Sequence, residues 1–146
     1  MRRGRQIRYV NCGHNPALLF RAETGRVTRL NSSCTPIGIS SEQNCQLASI
    51  SLSAGDVLIF YTDGITEAQN RLGQEFGAER LSALLEHGCS LSAESLMKDI
   101  LSSAADFSSE VGFSDDVTIV VAKCNFDMPI RPMTPAKHLK DDNLRI

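Results

Sequence analysis

The run Val57-Leu58-Ile59-Phe60-Tyr61 is apolar at every successive position. A strand built from it has no polar face to give to water, so it predicts a central strand of a layered fold, covered on both sides. Val117-Thr118-Ile119-Val120-Val121-Ala122 is a second unbroken run and predicts another strand with cover on both faces. Gln46 to Leu52 differs: Leu47, Ser49 and Ser51 alternate with Ala48, Ile50 and Leu52, the period of a half-buried strand. Gln6 to Asn11 and Ala17 to Ala22 read as strands joined into a hairpin by the turn residues Gly13-His14-Asn15-Pro16. Glu23-Thr24-Gly25 predicts a tight turn into a strand from Val27 to Leu30, and the Ser-, Thr-, Pro- and Gly-rich stretch from Asn31 to Asn44 predicts a loop. Ser53-Ala54-Gly55-Asp56 then turns the chain into the central strand.

Beyond Asn70 the period lengthens from strand to helix. Ala78 to His87 sets Leu81, Leu84 and Leu85 on one helical face, with Gly88 past its end. Ser92 is placed to cap a second helix, Glu94 suits its first turn, and Leu96, Met97, Ile100, Leu101, Ala104 and Phe107 form its apolar stripe. From Met128 onward Pro129, Pro132 and Pro135 stand among mixed charges without apolar period. The expectation is one domain over residues 1–125 followed by a flexible tail, 126–146.

Composition narrows the class. With 42% hydrophobic residues in a chain of 146, there is material for one core. A net charge of -2 gives no case for a nucleic-acid partner, and Arg2, Arg3, Arg5 and Arg8 read as a locally basic, solvated arm. No apolar stretch approaches the length of a membrane span, and the first residues lack a signal peptide's apolar core, so the expectation is a soluble, cytoplasmic protein. The five cysteines, Cys12, Cys34, Cys45, Cys89 and Cys124, form no Cys-x-x-Cys pair and are expected as reduced thiols.

Two acids occupy comparable places, Asp63 at the exit of one buried strand and Asp115 at the entrance of another. Adjacent antiparallel strands would bring those ends together, and paired carboxylates suit hard cations such as Mg²⁺ or Mn²⁺. Asp-Gly is equally a turn dipeptide and Asp-Asp a common loop ending, so both readings stand on local pattern. His14 reads as a base or as a partner of the turn backbone, His87 as a complement to a helix C-terminus, and His138 lies in the tail. No Gly-x-Ser-x-Gly elbow, phosphate-binding Gly-Lys-Ser/Thr loop or zinc-type His/Cys spacing is present.

Five motifs carry a resemblance: Tyr9-Val10-Asn11-Cys12-Gly13-His14-Asn15-Pro16, Leu52-Ser53-Ala54-Gly55-Asp56, Tyr61-Thr62-Asp63-Gly64-Ile65-Thr66-Glu67-Ala68, Phe76-Gly77-Ala78-Glu79-Arg80-Leu81 and Asp115-Asp116-Val117-Thr118. In this order the chain resembles the C-terminal portion of the PPM (type 2C) metal-dependent protein serine/threonine phosphatases, in the branch of stage II sporulation protein E. The resemblance implies an α+β fold, part of a four-layer α-β-β-α sandwich with two antiparallel sheets face to face. It also implies a two-metal Mn²⁺ or Mg²⁺ centre in which Asp63 and Asp115 are the catalytic metal ligands. Gly64, letting the chain turn away from the ion, and Asp116 would support them. The implied reaction is hydrolysis of phosphoserine or phosphothreonine by a metal-bound water, which needs no protein nucleophile. The implied partner is a phosphoprotein of bacterial regulatory signalling, such as an anti-sigma-factor antagonist.

The chain departs from that family in two places. The family's upstream portion carries a Gly-Asp-x-x-Gly motif whose Asp bridges both metals, and Met1 to Arg8 holds no replacement for it. The chain therefore reads as a piece of a longer phosphatase, as a truncated descendant, or as one part completed by a partner chain. Activity is expected only with the missing portion; the alternative is a non-catalytic pseudophosphatase acting as a protein-binding regulatory module. The second departure is Cys12, where the family commonly has a small residue such as Ala.

Overall fold

The computed structural model describes residues 5–39 and 45–126. Along the chain run strands β1 (Arg5–Tyr9), β2 (Ala17–Arg21), β3 (Arg26–Leu30), β4 (Ala48–Leu52) and β5 (Val57–Tyr61). Helices α1 (Asp63–Thr66), α2 (Gly77–His87) and α3 (Ala93–Phe107) follow, and strand β6 (Ile119–Lys123) closes the order. Two antiparallel sheets result, a four-stranded one in the order β3-β2-β5-β6 and a two-stranded one of β1 and β4.

Strand β5 is central, as expected, but its cover is incomplete: Phe60 is 45% exposed, beyond the reach of the two-stranded sheet. Val57, Ile59 and Tyr61 face a cluster with Leu18 and Phe20 of β2 and with Leu81, Leu85, Leu96, Ile100 and Ala104 of the long helices. Leu58 faces the other way, into a second cluster with Ala17, Leu19, Leu30, Leu52 and Cys124, against which Ile50, Tyr9 and Phe126 pack. Burying Val57, Leu58 and Ile59 contributes on the order of 1.5–3 kcal/mol each. The helices thus cover one face of the larger sheet and β1 with β4 cover part of the other, the two-sheet sandwich with helices outside.

The helix predictions hold in detail. Ser92 Oγ accepts the backbone N–H of Ser95 at 3.0 Å, the expected cap of α3. Gly88 ends α2 at φ -89, not in the left-handed conformation. A Cβ there would lie 2.6 Å from Leu96 Cδ1 and 3.0 Å from Leu84 O, so any larger residue would have to displace the Leu96 side chain. Phe76 and Phe107 meet edge to face at 5.6 Å, and the Arg80 guanidinium lies 4.7 Å from the Phe107 ring centre, joining the start of α2 to the end of α3. Lys123 donates to the carbonyls of Cys89 and Leu91, fixing the α2–α3 loop against β6.

Three expectations are corrected. The turn Glu23-Thr24-Gly25 does form a hairpin, β2 with β3, but Gly13-His14-Asn15-Pro16 does not join β1 to β2. Strand β1 pairs with β4 from Arg5↔Leu52 to Tyr9↔Ala48. The segment after β1 instead runs beside residues 32–34: Ser33 N donates to Asn11 O at 3.0 Å, Gly13 N donates to Ser32 Oγ at 2.8 Å, and Cys12 bridges Cys34 in parallel. The Asn11 carbonyl and the Gly13 amide are thus engaged by residues 32–33, and the Asn11 side chain accepts from His14 N and donates to His14 O, so this segment docks on the loop after β3 instead of closing a hairpin. Strand β6 is covered on one face only: Ile119 and Val121 pack toward the helices, while Val120 is 53% exposed. It is an edge strand, and the two-stranded sheet does not reach it. The cysteines are not all reduced thiols either, because Cys34 and Cys45 form a disulfide with Cα atoms 5.0 Å apart. The loop predicted from Asn31 to Asn44 accounts for this, since it brings the exit of β3 back to the entrance of β4.

At the start of β5 the buried Asp56 gathers several segments. Its carboxylate accepts the N–H of Ala22 at 3.0 Å, the N–H of Ser53 at 3.0 Å and the Arg21 guanidinium at 3.1 Å. Its backbone carbonyl accepts Cys124 N, and Cys124 O accepts Gly55 N, each at 2.9 Å. Removing the carboxylate strands two amides and takes from the Arg21 guanidinium its ion-pair partner, leaving it the Ser51 carbonyl. Asp56→Ala should therefore lower stability by roughly 3 kcal/mol, read as a drop in the urea midpoint; an unchanged midpoint would show that the network carries no stability. The Cys124 thiol, buried beside this network, is pushed above its ordinary pKa first by desolvation and then by Asp56, against a smaller opposing effect of Arg21. Its thiolate is disfavoured in the folded state, so stability should fall as pH rises through the ordinary thiol range. In the folded protein at pH 8, iodoacetamide should modify Cys124 more slowly than Cys89; equal rates would contradict this.

Candidate functional site

The register of β5 and β6 pairs Tyr61 with Ile119, so the exit of one strand lies beside the entrance of the other. Thr62 fixes that junction. Its N–H donates to Thr118 O at 3.1 Å, its hydroxyl accepts Thr118 N at 2.9 Å, and the same hydroxyl donates to Asp116 O at 2.8 Å. Asp63 then opens α1, a single helical turn in which Glu67 N donates to Asp63 O at 2.7 Å.

Gly64 is buried against the opposite segment. A Cβ there would lie 2.5 Å from Asp116 O and 3.0 Å from Asp115 O. Gly64 is not among the glycines with positive φ, so close backbone approach, and not a turn away from the site, is what demands glycine here. The structure therefore carries Asp63 on one side of a tight junction and Asp115 and Asp116 on the other. All three are exposed at the surface. Asp115 Oδ1 accepts the N–H of Asp116 at 2.7 Å. None of the ion pairs among the described residues engages these carboxylates. Their oxygens are hard donors facing solvent, a set that suits Mg²⁺ or Mn²⁺.

The three acids do not converge into one compact donor group. Among the described residues, the group of three possible ligands lying within 4.8 Å of one another is Cys12, Cys34 and Cys45. Of the histidines, His14 Nδ1 meets Asn15 O at 3.0 Å and His87 Nδ1 meets Ala83 O at 2.7 Å, backbone contacts in both cases; His138 lies outside the described residues. Tyr61, one residue before Thr62, faces the helices. Burial raises its phenol above the ordinary value, opposed by the Arg29 guanidinium. Between the two sheets a cavity of about 320 Å³ is lined by Ile7, Tyr9, Asn11, Cys12, His14 and Phe60, among others. The residue that sequence reasoning passed over is Thr62. Its signal was present in Tyr61-Thr62-Asp63-Gly64, where a threonine at a strand end can relay two backbone groups.

Comparisons with known proteins place the fold. Protein IcfG of Synechocystis sp. is 31% identical over 121 residues, covering 82% of this chain and 18% of that protein. Phosphoserine phosphatase RsbU of Bacillus subtilis is 25% identical over 118 residues, 81% of this chain and 35% of that one. The chain thus spans about a third or less of these relatives. Among solved structures, the SiaA-PP2C domain of Pseudomonas aeruginosa superposes with a TM-score of 0.71 at 20% identity, over 84% of this chain and 48% of that domain. The phosphatase domain of SpoIIE from Bacillus subtilis gives 0.62 at 18% identity, over 86% and 58%. These likenesses show the fold. Among the described residues no helix is long and apolar enough to cross a membrane. A family description, Stage II sporulation protein E (SpoIIE), matches residues 2–125, nearly the whole described fold, and the chain belongs to that family.

Proposed function

We propose that the chain contributes one side of a metal-dependent phosphatase site that hydrolyses phosphoserine or phosphothreonine on a regulatory phosphoprotein in the cytoplasm. The observation that carries this reading is the junction of β5 and β6, where Thr62 and Gly64 hold Asp63 beside Asp115 and Asp116. Asp63 and Asp115 would hold Mn²⁺ or Mg²⁺, with Asp116 in support through its neighbour's carboxylate. Such an ion, when bound, lowers the pKa of water and offsets charge on phosphoryl oxygens. The chain's own part is positional: two strand ends present oxygen donors at a separation set by main-chain hydrogen bonds, and the bulk of any side chain at 64 would force them apart. The name of RsbU as a phosphoserine phosphatase supports the substrate class; an anti-sigma-factor antagonist is the partner that the family resemblance suggests. On this reading any further ligands would lie in the rest of a longer domain, since the chain spans 48% of the solved SiaA-PP2C domain.

A second reading, a non-catalytic binding module, is favoured by one observation. Phe60 and Val120 are paired across β5 and β6 and are 45% and 53% exposed, an apolar stripe on the sheet face away from the helices.

Phosphate release from a phosphoserine peptide with Mn²⁺ distinguishes the two. A longer protein carrying the upstream portion should be active, and Asp63→Asn or Asp115→Asn should each cut kcat by more than about 100-fold, beyond the ~10–100-fold typical of losing an outer-sphere partner. Activity indifferent to both substitutions would sink the assignment of the acids. Equally negligible Mn²⁺ binding by calorimetry to the 146-residue chain and to its Asp63→Asn variant, with no turnover in the longer protein, would leave the binding module standing.

A further inference from the structure

We propose that Cys12, Cys34 and Cys45 form a second metal site, which in the reduced protein holds a thiophilic divalent cation of the zinc class through three thiolates. The residues come from three separate segments: the stretch before β2, the exit of β3 and the entrance of β4. All three are partly buried, and their sulfurs lie within 4.8 Å of one another. A tetrahedral zinc ion with Zn–S bonds of about 2.3 Å sets its sulfurs about 3.8 Å apart. Cys12 Sγ already stands 3.8 Å from Cys45 Sγ.

The cluster is held by its surroundings. The Cys12–Cys34 bridge fixes two of the backbones, Ser32 Oγ donates to Cys34 O at 2.7 Å, and Ser33 Oγ donates to Gln46 O at 3.0 Å, next to Cys45. Cys12 is not among the acids at the ends of β5 and β6, so the third sulfur stands apart from the proposed phosphatase site. Thiolates are soft donors and select a different ion from the carboxylates at the ends of β5 and β6.

The same sulfurs are poorly arranged for thiol–disulfide exchange. Attack by Cys12 on Cys45 in line with the departing Cys34 would put the outer sulfurs about 5.9 Å apart, one 3.8 Å approach plus one ordinary S–S bond of about 2.05 Å. They lie within 4.8 Å, a triangle and not a line. One edge of that triangle is the Cys34–Cys45 bond, and once reduction opens it the third sulfur of Cys12 is close enough to share an ion with both.

The disulfide and the ion are alternative occupants of Cys34 and Cys45. Opening the disulfide takes two electrons and two protons from a dithiol reductant, which leaves as its own disulfide. Binding the ion then releases the three thiol protons to solvent and leaves the fourth tetrahedral position to water.

Titration of the fully reduced 146-residue chain with Co²⁺ tests the site. One equivalent should produce thiolate-to-cobalt charge transfer and the visible bands of tetrahedral cobalt, displaced by Zn²⁺; binding at carboxylates gives no such charge transfer. The oxidised chain should give no signal, Cys12→Ser should weaken binding more than about tenfold, and Cys89→Ser should leave it unchanged. In the unsubstituted chain, Zn²⁺ should protect Cys12, Cys34 and Cys45 from alkylation while Cys89 still reacts, a readout that does not depend on any variant folding. Absence of charge transfer in the reduced chain, an undiminished signal in Cys12→Ser, or alkylation of the three thiols indifferent to Zn²⁺ would overturn the proposal. None of these outcomes bears on phosphatase activity.

Discussion

Strand β5 is tied at both ends by side chains that hold other segments to it, and most of the molecule is arranged around that double attachment. At its start the Asp56 carboxylate gathers the amides that follow β2 and β4, and its carbonyl receives the chain leaving β6. At its end the Thr62 hydroxyl accepts from one residue and donates to another on the approach to β6. Between these anchors, alternate side chains feed two separate apolar clusters. A slip of one residue in the β5 register would exchange those clusters and release both anchors together, so the register is specified several times over.

This over-specification explains how exposed acids can occupy fixed positions. Surface carboxylates are ordinarily free to move, and their geometry says little. Here the main chain is fixed on both sides of them, by three hydrogen bonds through Thr62 and by the contact of Gly64 with the carbonyls of Asp115 and Asp116. The precision lies in the backbone. The thiol cluster follows the same logic, since its sulfurs come from loops that are pinned to one another by Ser32, bonded to Asn11 and Gly13, and by Ser33, bonded to Gln46.

The core elements were legible in the sequence because their signals are local. Five successive apolar residues make a central strand, buried at all but Phe60, Ser92 three residues before the amide of Ser95 makes a cap, and the Leu96-Ile100-Ala104 stripe makes a helical face. The failures all involve partners distant in sequence. Gly13-His14-Asn15-Pro16 has the composition of a hairpin turn, yet its amides find partners at Ser32 and beyond, which no local pattern encodes. Val120 has the composition of a covered residue, but cover depends on how far the opposing sheet extends. In sequence Gly64 reads as a turn residue because glycine is conformationally free; the distances show that its missing side chain matters instead. The Cys34–Cys45 bond depends on the return of a long loop, invisible in the spacing of the two residues. At the candidate site, the placement of Asp63 beside Asp115 was inferable from strand adjacency, while the role of Thr62 needed coordinates.

The exposed pair of Phe60 and Val120 has a thermodynamic consequence. Apolar surface that stays wet after folding leaves part of the hydrophobic driving force unspent. Any surface that covers the pair, whether in the same polypeptide or another, binds the folded chain and not the unfolded one. The stability of this fold is therefore coupled by mass action to the local concentration of that cover, and tethering the two in one chain fixes the coupling at its strongest.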